Sequence, residues 1–62
     1  MDDHQIERTA RIMVGKYEKK ALTKAVEAAK YYLENRSDDD TYRWIKISYA
    51  IKAILEKETE KA

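Results

Sequence analysis

YYLENRSDDDTYRW, residues 31–44, decides the fold, because one helical pattern ends inside it and another begins. Asn35 reads as the C′ residue of the first helix, since its short polar side chain tolerates the left-handed conformation that commonly ends a helix, and Arg36 leaves a very short connection. Ser37 reads as the N-cap of the second helix, with Asp38, Asp39 and Asp40 in a first turn whose dipole favours negative charge, and Asp40 in the capping-box position. Asp40 as the cap is the alternative, and it only lengthens the loop. Either way the link is short, which predicts antiparallel neighbouring helices.

Working back toward the N-terminus, Ile6, Ala10, Met13, Tyr17, Ala21, Ala25, Ala28 and Tyr32 recur at steps of three and four, with Val14 widening the stripe. This is helical period, and it predicts one helix over about residues 3–34. Asp2 can cap it, Gln5 completes a capping box, and Met1 and Ile6 stand where a hydrophobic staple would close. Gly15 falls inside the pattern. It is either a weak point, costing about 1 kcal/mol against Ala, or an opening for a partner aromatic to approach the backbone. From Leu22 onward a second apolar line, Leu22, Val26, Ala29 and Leu33, runs about 100° around the helix from the first. A helix with one neighbour needs one apolar face; two faces imply a second neighbour.

Forward from the turn at residues 35–37, a helix is expected over about residues 38–58. Thr41, Trp44, Ser48, Ile51 and Leu55 share one line, flanked by Ile47 and Ile54 on one side and Ile45 on the other, an arc close to half the circumference. Tyr42, Tyr49 and Ala53 form a smaller stripe opposite. Beyond Leu55 the chain is polar and expected to fray.

The chain has 62 residues, no cysteine and no proline. It has room for a single domain over residues 1–62, yet neither a disulfide nor a Cys/His zinc set can supplement a core of that size. The fold class that follows is all-α: an antiparallel two-helix hairpin that dimerises into a four-helix bundle, because a lone hairpin leaves apolar surface wet. The residues expected at the self-association face are Leu22, Val26, Ala29, Leu33, Ile47, Ile51, Ile54 and Leu55. Tyr17, Tyr32 and Trp44 are expected to fill the core with their polar atoms at its edge. No apolar run approaches the ~18 residues of a membrane span, and no signal segment is legible, so a cytoplasmic location is the default expectation.

The string TYRWIKISYAIKAILE at 41–56, with Trp44, Lys46, Ile47, Ala50, Ile51 and Leu55 in place, follows the alanine-rich AVEAAKYYLENR at 25–36. This resembles short uncharacterised bacterial helical-hairpin proteins, in which a small polar loop leads into a helix of that form. Ser-Asp-Asp-Asp stands here where their loop usually carries a glycine. The resemblance implies a hairpin and brings no activity with it.

Candidate chemistry is sparse. His4, the one histidine, stands beside Asp2 and Asp3 at a helix start, a poor place to hold the ~0.5 Å geometry that catalysis needs. Asp38, Asp39 and Asp40 are consecutive, so on a helix they diverge by about 100° each and cannot converge on one cation. Glu18, Glu27 and Glu34 lack the Glu-x-x-His motif of di-metal bundles. No catalytic residue, metal or cofactor is expected, and the chain reads as a non-catalytic structural or adaptor protein acting through protein contacts. Tyr42, Tyr49 and Ala53 are the candidate surface for a protein partner, since exposed aromatics suit interfaces. The net charge is only +1, but Arg8, Arg11, Lys16, Lys19, Lys20 and Lys24 are opposed between residues 8 and 24 only by Glu18. The alternative function is therefore a small dimeric nucleic-acid-binding regulator contacting phosphates through Arg8, Arg11, Lys16 and Lys19. No third helix completes a helix-turn-helix, and the acidic turn would repel a nucleic-acid backbone.

Overall fold

A computed structural model describes the chain from Asp3 to Lys61, with side chains described through Glu58. The proposed Asp2 cap and Met1 staple lie outside the described residues. Three α-helices form a two-helix hairpin: α1 (Asp3–Tyr17) and α2 (Ala21–Glu34) make one arm, interrupted by a single 3-10 turn at Glu18–Lys20, and α3 (Asp38–Lys61) makes the other. The second arm is helical to Lys61 rather than ending near residue 58.

The continuous first helix expected over residues 3–34 is thus divided. The division falls at Glu18, whose φ of 53° is left-handed, and not at Gly15. A straight helix over residues 3–34 would run roughly 48 Å, against roughly 36 Å for α3, and would carry the start of the arm past the end of its partner. The bend keeps the molecule within 40 × 22 × 16 Å and lays α1 on α3, where Ile6 and Ala10 are buried. Burying an Ile side chain contributes about 1.5–3 kcal/mol, and holding a residue left-handed costs about 1–2 kcal/mol. Burial carries the balance, and the helix breaks. Gly15 remains helical, and a Cβ added there would meet no atom within 4 Å. No described side chain fills the space beside it.

The hairpin turn is closed by local chemistry. Asn35 adopts φ −90°, ψ 9°, and the left-handed C′ residue is Arg36, φ 58°, one position later than the sequence suggests. The Ser37 amide donates to the Tyr32 carbonyl at 2.8 Å and the Arg36 amide to the Leu33 carbonyl at 3.1 Å. These are the paired bonds of a Schellman motif. The Asn35 side-chain amide adds a bond to the Tyr31 carbonyl at 2.7 Å. Ser37 then starts α3, its carbonyl accepting from the Thr41 amide at 2.9 Å and from the Thr41 hydroxyl at 2.8 Å. Its own hydroxyl donates to the Asp40 carboxylate at 2.7 Å, and the other Asp40 oxygen accepts from Arg43 at 3.2 Å. The reciprocal side-chain-to-backbone bonds of the expected capping box are thus replaced by one bond between the two side chains.

The core is small. Ala10, Ala21, Ala25 and Ile6 of the first arm close on Ile47 and Ile51 of the second, and Tyr17, Trp44, Leu22, Ile54 and Leu55 pack around them, partly buried. Alanines rather than the expected aromatics form its centre. Short side chains on the first arm let the long isoleucines of α3 reach between turns, and the rings stay at the edge.

Candidate functional site

The residues expected to self-associate divide into two groups. Ile47 and Ile51 are 1% and 0% exposed, so no surface of the folded hairpin can use them. They sit at the middle of the wide α3 arc, and the first arm itself covers that arc. Leu22, Ala29, Ile54 and Leu55 are half-buried, while Val26 and Leu33 are 46% and 60% exposed. What stays accessible is the second apolar line of α2. On α3, Ile45, expected in the buried arc, is 38% exposed. Ile45 lies about 120° around the helix from Ile51, a signal that was legible.

Tyr42, Tyr49 and Ala53 are exposed. The Lys46 ammonium lies 4.6 Å from the centre of the Tyr42 ring, an attraction between cation and ring face that gives this patch a charged, hydrated centre. Two further large apolar side chains, Ile12 on α1 and Tyr31 on α2, are also exposed; Tyr31 meets Tyr32 edge to face, centroids 5.2 Å apart.

Arg8, Arg11, Lys16 and Lys19 are all exposed. Arg11 is committed to Glu7 through Nη2 at 2.9 Å and Nε at 3.3 Å. This hydrogen-bonded pairing, together with the nearby guanidinium charge, holds the Glu7 carboxyl below its ordinary range. Lys16 and Lys24 both lie over the Tyr17 ring, at 5.4 and 5.7 Å from its centre, so one aromatic joins the two sides of the bend. Lys19 lies in the 3-10 turn itself, whereas Arg8, Arg11 and Lys16 lie on α1.

An open cleft of about 900 Å³ lies between α1, the 3-10 turn and α3, lined by Arg11, Val14, Gly15, Lys19, Ile54 and Leu55, with Glu18 and Glu58. Apart from Arg11, Lys19, Glu18 and Glu58 its lining is aliphatic or glycine, and none of the lining residues is a serine, threonine, tyrosine, cysteine or histidine. His4 is exposed. Among the described residues no group of three or more His, Cys, Asp and Glu could hold a metal ion, and Asp40 is already engaged by Ser37 and Arg43. No helix of the described residues is long and apolar enough to cross a membrane. No protein-family model, curated protein or solved structure matches the chain.

Proposed function

We propose that this chain is a non-catalytic structural or adaptor protein that works through protein–protein contact in the cytoplasm, as a homodimer whose two hairpins make a four-helix bundle. The observation that carries the reading is the distribution of large apolar side chains. Val26, Leu33, Ile45, Tyr42 and Tyr49 stand exposed along both arms, while the open cleft beside the 3-10 turn is lined, among the described residues, by no histidine, hydroxyl or thiol. Monomers seldom leave contiguous apolar surface open without a partner for it. The lysine-centred patch at Tyr42 and Tyr49 suits the wet contacts of a second, different protein. Nucleic-acid binding through Arg8, Arg11, Lys16 and Lys19 is the weaker reading, because the net charge is only +1 and the exposed Arg11 already pairs with Glu7.

Light scattering across a dilution series tests the reading. The expected result is a two-chain mass that falls toward one chain on dilution, with a melting temperature that rises with concentration. A one-chain mass at every concentration, with melting indifferent to dilution, rejects it.

A further inference from the structure

We infer that the three-residue turn at Glu18–Lys20 is a two-state hinge. In one state α1 lies on α3, as described above; in the other the first arm runs straight as one helix, and the start of α1 is carried past the end of α3. The hinge belongs to the single chain and needs no partner.

Three independent features meet at this turn. The first is strain without local support. Glu18 is left-handed at φ 53°, a conformation that a residue with a long side chain seldom enters, and neither the turn at Tyr17 nor α2 at Lys20 has a side-chain cap. The other left-handed residue, Arg36, is held by the paired backbone bonds of its motif and by the Asn35 side chain. Among the described residues no side-chain hydrogen bond does the same for Glu18.

The second is an alternative that the sequence already favours. Glu18, Lys19 and Lys20 are all strong helix formers. Ala10 and Ala21, eleven residues apart, return to the same side of a helix after about three turns, so a straight arm keeps its apolar stripe turned toward α3. The turns nearest the hinge then stay on the last turns of α3, and the overhang is about eight residues, Ile6 and Ala10 among them. The bent form gains the burial of Ile6 and Ala10. The straight form recovers regular backbone at Glu18. Two packings of one sequence that trade such similar terms are the condition for a bistable element.

The third is room to move. α1 rests mainly on α3, through a contact less extensive than that between α2 and α3. Beside the hinge this contact gapes, since the cleft of about 900 Å³ separates Val14 and Gly15 from Ile54 and Leu55. α1 can therefore turn about Glu18 while α2 and α3 stay together. One backbone angle sets whether Ile6 and Ala10 are buried or offered to solvent. The straight form is the minor one, about 0.1–10% of molecules.

Nuclear magnetic resonance of the intact chain tests the hinge, because carbon shifts and three-bond couplings at Glu18 distinguish left-handed from helical backbone. Relaxation dispersion in the parent should show exchange on the μs–ms scale of hinge motions at Glu18, Lys19 and Lys20, with helical shifts for Glu18 in the minor state, and no exchange at Arg36. Ile6→Ala removes burial that only the bent form has, and should raise the ratio of straight to bent at least tenfold. Glu18→Gly relieves the bent form and penalises the straight one, and should lower the ratio at least tenfold. A minor state with random-coil shifts at Glu18 overturns the hinge, because α1 then melts instead of straightening. Exchange absent from both the parent and Ile6→Ala overturns it as well, as does a parent whose Glu18 is already helical.

Discussion

The molecule stops a helix twice, and the two stops are made differently. At the hairpin turn Arg36 is left-handed, and Asn35, Ser37, Thr41 and Asp40 surround it with hydrogen bonds that close one helix and open the next. At the bend Glu18 is equally left-handed, yet no side chain caps the 3-10 turn at Tyr17 or α2 at Lys20. The first stop is written in local chemistry. The second is imposed from outside, by the burial that α1 gains when it follows α3.

This contrast can be broken most forcefully at the core. Ile51→Ala, at a site with no exposure, should cost about 3 kcal/mol and weaken the whole hairpin, read as a lower urea midpoint. Ile6→Ala should cost about 2 kcal/mol and act mainly on the first segment. Native-state hydrogen exchange should show α1 amides losing protection while those of α2 and α3 keep theirs. If Ile6→Ala loosens α2 to the same degree, the two segments are one cooperative helix and the contrast falls.

The next effects separate the two left-handed residues from an unbroken helix. Glu18→Gly and Arg36→Gly should each stabilise the hairpin by about 1 kcal/mol, because glycine adopts positive φ without a Cβ clash. In a continuous helix Glu18→Gly would instead destabilise by about 1 kcal/mol, so the sign of its change in melting temperature decides whether the bend exists in solution. Gly15→Ala, inside regular helix with space for the added Cβ, should stabilise by about 1 kcal/mol.

Capping should show the same asymmetry more gently. Ser37→Ala, which removes the bond to Asp40, should cost about 1 kcal/mol at the turn, whereas Lys20→Ala at the uncapped start of α2 should change the melting temperature little. The smallest effect is a titration. The Glu7 carboxyl is held low by Arg11, so whatever stability the exposed pair lends α1 is full at neutral pH and disappears as the pH falls through the lowered value. Arg11→Ala should move the Glu7 midpoint upward, as followed by the carboxyl carbon resonance.

Much of the hairpin was legible because its signals are local. Ser37 as N-cap and the short connection depend on residues within a turn of one another, and the structure moves only the left-handed position, from Asn35 to Arg36. The bend left no such mark. Ala10 and Ala21 are eleven residues apart, close to three helical turns, so the buried stripe keeps step whether the helix runs through or breaks. The open faces were legible as apolar lines, but which line stayed open was not. Ile47 and Ile51 belong to the same wide arc as Ile45, and periodicity gives the direction of an arc without its depth.

By itself the sequence determined that the chain is helical, that it turns back once at residues 35–37, and that α2 carries a second apolar line besides the one that packs on α3. Propensity, capping and period act over a few residues and need no knowledge of the rest. Only the tertiary structure decided that the first arm breaks at Glu18, that alanines rather than aromatic rings form the centre of the core, and that the α2 line remains open while Ile47 and Ile51 do not. Each of these is a competition between burial against a distant segment and a local cost, settled by where the two arms end relative to one another.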